Sequence, residues 1–526
     1  MTLNKIHQYD YIIIGSGFGG SISALRLAEK GYKVLVIEKG KKYEVDDFPK
    51  SNWNLKKWIW LPSVGFYGIM KMTFYKHIGI LSGTGVGGGS LVYANTLPMP
   101  KDEFYNSGSW KDLCDWKTEL KPHYEIAKKM LGSALNPKLG QGDLVMKDIA
   151  KKRGIENHFA PTEVAIFFGE SDKEVDDPYF GGKGPRRSAC TFCGGCMTGC
   201  RFNAKNTLDK NYLYLAQKLG VEVIAEQEVY DVHPINNANG QDGYFVISKK
   251  STSLLKSKST FSTKNVIFSG GVLGTMNLLL KLKKKKLPNL SNRLGMDIRT
   301  NNEALIFNIT ADNSYNLSEG IAIGSILDVD KSTHLEVVRY NKSSGFWRIG
   351  MLPNVEGGNL FHRIAQLISK YLTNPLAYLK ITTVNNFGNK SAVLLFMQHI
   401  DTKLSFSKGL FRLKTSLTEG KKPVSQIPLA YDLAEEYSKK IGGKPMVFLS
   451  ETLFNIPSTA HILGGAVMGD NIKNGVIDKY NKVFGYKNLM ICDGSTVSAN
   501  PGVNPSLTIS AITEHAMNNI PYKRDI

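Results

Sequence analysis

The chain opens with a short apolar run, Tyr11-Ile-Ile-Ile14, which predicts a buried strand beginning at about Tyr9. A glycine turn follows, and Ser21 to Lys30 then carries helical periodicity through Ile22, Leu25 and Leu27, closed by Gly31. Val34-Leu-Val-Ile37 is a second apolar run. Strand, turn, helix and strand in this order predict a βαβ unit on a buried parallel sheet. Three later runs, Val221–Ile224, Asn265–Phe268 and Asn488–Cys492, read as strands returning to that sheet. Residues 45–80 are rich in Trp, Tyr, Phe and Lys, and 306–455 mix short alternating runs with polar loops. The pattern therefore predicts a α/β Rossmann-like domain assembled from 1–45, 80–100, 205–305 and 456–526. A second, sheet-containing α+β domain is expected from 46–79, 101–204 and 306–455.

The turn after the first strand reads Gly15-Ser-Gly17-Phe18-Gly19-Gly20. Gly15, Gly17 and Gly20 fit the G-x-G-x-x-G spacing, which combines a tight turn, a close backbone approach to pyrophosphate, and packing of helix on strand. Free N–H groups and the positive end of the helix dipole favour phosphate there. Glu38, at the end of the second strand, is placed to accept hydrogen bonds from ribose hydroxyls and to repel a 2′-phosphate. A second glycine run, Gly83-Thr-Gly85-Val-Gly87-Gly88-Gly89-Ser90, with Asn95 beyond it, suits a long flat cofactor touched along much of its length. Gly270, Asp493 and Gly494, each after a predicted strand, add remote contacts. FAD explains these distant elements better than NAD.

At the C-terminal end His461 is followed by a run of small residues, Leu-Gly-Gly-Ala-Val-Met-Gly469. Histidine can take a hydroxyl proton near neutral pH. Asn504-Pro505 before the apolar segment Leu507–Met517 is a helix-start signature, with Asn504 expected at the cap and Pro505 at the first helical position. That N-terminus would favour negative charge on a reduced flavin, and Asn504 could orient a substrate hydroxyl.

Composition is that of a globular chain, but 66 Lys+Arg stand against 46 Asp+Glu, a formal net charge of +20. Such a surface attracts anions without choosing among them. No nucleic-acid recognition motif accompanies the charge, so nucleic acid is excluded as a partner. Met1–Asp10 lacks the apolar core of a secretory signal, and Trp58–Met70 is broken by Pro62, Ser63 and Gly65. A cytoplasmic address is expected. Aromatic and basic residues interleave from Trp53 to Lys76, which suits either a lid with inward-facing rings or peripheral contact with the inner face of an anionic membrane. Lys281–Lys286 reads as a solvated loop.

As a set, the chain resembles the glucose–methanol–choline (GMC) flavin oxidoreductases, and within them the cholesterol oxidase branch. The carrying segments are Gly15–Gly20, Gly85–Val92, Ala204-Lys-Asn-Thr-Leu-Asp-Lys-Asn-Tyr-Leu213, His461–Gly469 and Gly502-Val-Asn-Pro505. The resemblance implies a mostly antiparallel sheet in the substrate domain and oxidation of a bulky apolar secondary alcohol by hydride transfer to flavin N5. It implies that His461 binds or deprotonates the hydroxyl, that Asn504 supports substrate and flavin, and that the Val229 backbone contacts adenine. Glu336, in Thr333-His-Leu-Glu336, is the candidate to move a proton in double-bond isomerisation; solvent exposure or pairing with Arg339 is the competing reading. Oxygen or another acceptor would take the electrons. A flavin-containing lyase and a basic membrane-associated lipid-binding flavoprotein are the rival functions.

The sequence departs from the secreted members at Cys190-x2-Cys193-x2-Cys196-x3-Cys200. This is ferredoxin-like spacing, and it makes the four cysteines candidate ligands of a [4Fe–4S] cluster. Zinc, buried thiols and a redox disulfide are the alternatives.

Overall fold

The computed structural model describes residues 8–170, 173–253, 256–410, 412–418 and 420–525. Its first sheet runs in the order Glu222–Ile224, Val34–Ile37, Tyr9–Ile14, Lys258–Phe268, Tyr244–Lys250, Gln227–Pro234, with Leu489–Ile491 also on Lys258–Phe268. Its central strands are parallel and the 227–250 hairpin joins antiparallel. Strand Lys258–Phe268 serves both halves. Its first residues pair with the hairpin, and Val266–Phe268 lie between Ile12–Ile14 and Leu489–Ile491. Ile12, Ile13, Leu35 and Val36 are fully buried, as the continuous apolar runs require.

Helix Phe18–Glu29 packs on this sheet, and the C-terminal helix Ser506–Asn518 packs beside it. Arg26 Nε donates to Glu514 Oε2 at 2.7 Å, and Lys30 Nζ to the Met517 carbonyl at 2.7 Å, so the two ends of the chain are tied together.

The second sheet has seven strands, all antiparallel: Met351–Pro353, Gly443–Phe448, Ala304–Thr310, Ser391–Gln398, Thr333–Val338, Ile323–Asp328 and Phe159–Pro161. Both faces are covered. Ile306, Leu335, Val337, Leu394 and Phe396 pack under helices Gln141–Lys152 and Pro428–Lys440. Leu305, Phe307, Val338, Val393 and Leu395 turn the other way, onto a separate apolar cluster that lines a cavity. Among the described residues no helix is long and apolar enough to cross a membrane.

The region 306–455 holds more helix than its pattern predicts, with helices at Leu360–Thr373, Pro375–Thr382 and Pro428–Lys440 between the strands. Of the aromatic stretch, Trp58 is fully buried against Phe346 and Trp347, whereas Trp53 and Phe74 reach solvent.

Candidate active site

One cavity of about 660 Å³ lies between the sheets and touches most of the residues singled out in the sequence. It is lined by Gly15, Gly17, Phe18, Gly19, Glu38, Gly88, Gly89, Asn95, Val229 and Gly270 from the first sheet and its loops. His461, Asp493, Gly494, Asn504 and Pro505 line it too, and Leu305, Phe307, Val338, Trp347 and Phe448 give it an apolar wall. Gly20, Gly85 and Ser90 are packed behind that lining.

The glycines divide by what surrounds them. A Cβ on Gly19 would stand 1.7 Å from the Cys492 carbonyl, and one on Gly20 2.0 Å from the Gly15 carbonyl, so these two are fixed by backbone packing. Gly15 has φ +104° and its Cβ would meet Ser269. Gly17 differs, because the nearest atom to its Cβ would be Gly88 Cα at 4.0 Å. It leaves its backbone open to the cavity, as close approach of a pyrophosphate requires. The second glycine run docks directly on the first through Ser16. Its Oγ accepts from Gly87 N at 3.1 Å and donates to Glu38 Oε2 at 2.9 Å. Glu38 also accepts from Ser16 N and Gly40 N, which fixes the carboxylate against the turn. Ser90 Oγ accepts from Leu208 N, which ties the second glycine run to the segment after the cysteines.

Asn95 is fully buried with φ +71°, and neither its amide nitrogen nor its oxygen has a hydrogen-bond partner in the protein. A buried amide left unpaired costs about 1–3 kcal/mol. A polar ring edge in the cavity would satisfy it. The open Gly17 backbone, the fixed Glu38 and the unpaired Asn95 together fit FAD. Asp493 accepts from Ser495 N at 2.8 Å and from Thr275 Oγ1 at 2.5 Å, and burial raises its pKa. Of the lysine run, residues 283–286 form a solvent-facing turn, whereas Lys281 stands on the helix before it. Lys281 ends helix Gly271–Leu282, lines the cavity and donates to the Tyr230 carbonyl at 2.6 Å.

His461 projects into the cavity from the loop after the short strand Ser458–Thr459. Its Nδ1 lies 2.8 Å from Glu303 Oε2, and Nε2 makes no hydrogen bond among the described residues. Glu303 is itself gripped, its other oxygen accepting from Thr459 Oγ1, Ala460 N and His461 N. Burial works to lower the His461 pKa, but the charge and hydrogen bond of Glu303, with the charge of Glu336 behind them, raise it above the ordinary imidazole value. The sequence reading missed Glu303. It lies 158 positions from His461 and no local motif surrounds it.

Asn504 does not cap the C-terminal helix. The helix starts at Ser506 with Pro505 in the cap position, and Asn504 Nδ2 instead donates to Glu336 Oε2 at 3.1 Å. Asn504 Oδ1 is buried without a partner. Glu336 is fully buried one layer behind the cavity lining, on the same strand face as Val338. Its second oxygen meets His334 Nε2 at 3.1 Å, and His334 Nδ1 meets Asp328 Oδ1 at 3.1 Å. Burial opposes charge on His334, but its hydrogen bonds to both carboxylates, and their charges, outweigh it and raise its pKa to about 9. Arg339 pairs not with Glu336 but with buried Asp143, at 2.6 Å.

The cysteine run does not form a cluster site. Among the described residues no group of three or more His, Cys, Asp and Glu side chains is placed to hold a metal ion, which overturns the [4Fe–4S] expectation for Cys190, Cys193, Cys196 and Cys200. Spacing along a chain does not make side chains converge. Cys193 is exposed while Cys196 turns inward on a single helical turn, Cys196–Thr198. Cys196 packs in an apolar cluster with Val164, Ile166 and Ile321. The loop is held instead by Lys205, whose buried ammonium donates to the carbonyls of Leu91, Tyr93 and Cys196.

Known proteins place the chain. A family model described as FAD binding domain matches residues 10–46, and one described as GMC oxidoreductase matches residues 420–513. A cholesterol oxidase of Acinetobacter baumannii is 42% identical, covering 100% of this chain and 96% of its own length. A cholesterol oxidase of Mycobacterium tuberculosis is 39% identical, covering 98% and 92%. Among solved structures, a formate oxidase shares the fold with TM-score 0.60 at 14% identity, covering 97% of both chains. A pyridoxine 4-oxidase from Mesorbium loti does so with TM-score 0.59 at 13% identity, covering 97% of this chain and 98% of its own. The chain belongs to the GMC oxidoreductase family, on its cholesterol-oxidase-like branch, and is an FAD-dependent oxidoreductase.

Proposed function

We propose that this protein oxidises a bulky apolar secondary alcohol, a sterol or steroid, to its ketone, with oxygen or another acceptor taking the electrons. The carrying observation is the union, in one cavity, of a dinucleotide cradle, an imidazole held by a buried carboxylate, and an apolar wall. The identity of 42% to a cholesterol oxidase along the whole chain supports the sterol.

FAD, when bound, supplies the hydride acceptor. Glu303 fixes the ring of His461 by taking its Nδ1 proton in a hydrogen bond, which leaves Nε2 as the acceptor facing the cavity. His461 then takes the hydroxyl proton as the C–H pair departs and the C=O bond forms. Its raised pKa makes it a stronger base near neutral pH. Asn504 offers its free Oδ1 to orient the hydroxyl, and its amide ties that position to Glu336. Glu336 is our candidate for carrying a proton between carbons of a Δ5-ketone if isomerisation follows. Leu305, Phe307 and Trp347 exclude water from the ring system.

A substrate of this kind resides in bilayers, and we take an anionic membrane surface to be the peripheral partner. All six cysteines are free thiols, which suits a cytoplasmic setting.

The test is the anaerobic absorbance spectrum of purified protein before and after cholesterol. Bleaching of an oxidised flavin spectrum is expected. A flavin left fully oxidised by cholesterol overturns the sterol.

A further inference from the structure

Residues 359–383 form a helical hairpin that is inverted relative to an ordinary surface helix. Helix Leu360–Thr373, capped by the Asn359 side chain on His362 N, is followed after Asn374 by helix Pro375–Thr382. Phe361, Ile364, Ile368 and Leu372 recur every three or four residues and so share one face. That face points outward. Phe361 is 82% exposed, Leu372 75% and, from the second helix, Leu376 71%. Leu379 is exposed beside them.

The orientation is enforced from below. Arg363, which a solvated helix would extend into water, is 3% exposed, and its Nη1 donates to the carbonyls of Glu451 and Thr452 at 3.1 and 3.0 Å. Arg348 reaches up from outside the hairpin to the carbonyls of Thr382 and Val384. Tyr371 packs edge-on against Tyr378 at 5.0 Å, joining the helices. Tyr378 and Ile381 are buried in the same apolar cluster as Trp347, Phe307 and Phe448, which line the cavity. Arg363 is therefore spent inward and the apolar stripe is left to solvent. An exposed apolar patch of this kind on a soluble protein marks an interaction site.

Charge selects the partner. No Asp or Glu occurs from Gly357 to Ile400, whereas Arg363, Lys370, Lys380 and Lys390 do. Lys380 is exposed beside Leu376 and Leu379 on the second helix, and it is in no ion pair among the described residues. Apolar side chains beside an unpaired lysine, on a segment without acidic residues, match the acyl and headgroup layers of an anionic bilayer.

We propose that the hairpin 359–383 is the surface by which this protein lies on an anionic membrane, above the apolar end of its cavity. The inference rests on the membrane reading given above. It assigns that contact to a surface separate from the aromatic stretch at 53–76.

The test is flotation of the FAD-loaded protein with sterol-free vesicles of phosphatidylcholine containing phosphatidylglycerol. Binding then needs neither turnover nor substrate. The parent is expected to float with anionic vesicles and much less with phosphatidylcholine alone. Phe361→Ser/Leu372→Ser/Leu376→Ser changes only exposed positions and is expected to lower partitioning by about tenfold or more. Lys380→Glu is expected to weaken the salt-sensitive part of binding. The flavin spectrum, and turnover of detergent-solubilised sterol, should match the parent in both variants. If the triple variant floats like the parent, or the parent does not float, the proposal is overturned. It is also overturned if the triple substitution instead converts a dimer to a monomer in gel filtration, because the stripe then covers a second copy.

Discussion

Two imidazole–carboxylate pairs lie close together in this molecule, and they are built in opposite order. In one, His461 faces the cavity and Glu303 stands behind it, held by Thr459 and two backbone N–H groups. In the other, Glu336 stands nearer the cavity, hydrogen-bonded to Asn504, and His334 stands behind, in turn held by Asp328. Asp328 is 40% exposed and meets Lys101 at 3.1 Å, so this second chain reaches the surface. The distances within the two pairs are alike, 2.8 and 3.1 Å, but the group on the cavity side of each pair differs. A front imidazole backed by a carboxylate is suited to take a proton from oxygen. A front carboxylate backed by an imidazole is suited to hand a proton from one carbon to another. Order, more than composition, separates the two roles.

The contrast breaks most sharply at His461. His461→Ala is expected to lose about 10³-fold in turnover while retaining FAD, as removal of a general base does; near-parental activity takes His461 out of the mechanism. Glu303→Gln is expected to cost about 10²-fold, because the ring loses its fixed tautomer. The same change removes the charge that raises the His461 pKa, so the rise of turnover with pH should move to lower pH. An unmoved profile would detach Glu303 from the base. At the other pair, Glu336→Gln is expected to leave oxidation within about tenfold of the parent, since it removes no base from the hydroxyl. The 3-ketone should then accumulate without the conjugated absorbance of its isomer. Loss of both steps together would merge the two pairs into one function.

The smallest expected effect separates the pairs by stability. His334 has a raised folded-state pKa of about 9, so the stability it contributes is fully present below its unfolded value of about 6.5 and is lost as pH rises through about 9. Relative to His334→Gln, which does not titrate, the parent should lose about 3 kcal/mol across that window. Urea unfolding between pH 6 and pH 10 measures it; parallel curves for the two proteins would show that His334 carries no charge in the fold.

How much of this was legible follows from distance along the chain. The Gly15–Gly20 turn, its flanking strands and helix, and Glu38 lie within 30 residues, where periodicity and glycine spacing report structure directly. His461 and Asn504 were found because small residues and an Asn-Pro pair mark them locally. Glu336 stands in a recognisable segment, but Glu303 and the links from Glu336 through His334 to Asp328 were not visible, because they exist only in the fold: Asp328 faces His334 across a ladder, and Glu303 precedes a strand far from His461. The cysteines erred the other way, since their spacing is local but their convergence is not. The hairpin carried a readable signal in Phe361, Ile364, Ile368 and Leu372, between Asn359 and Asn374-Pro375, which a search for alternating strands passes over.

The strand Leu489–Ile491 completes the first sheet beside Val266–Phe268, and Glu514 and Met517 clasp the first helix. Gly19 touches a carbonyl of Cys492, which the ribosome adds 473 residues later. At about 5–20 residues per second that interval is on the order of a minute. Through that time the opening strand and helix are outside the ribosome with one side of their sheet uncovered. Without that late segment the Gly19 turn has no Cys492 carbonyl to pack against, and this side of the sheet stays open.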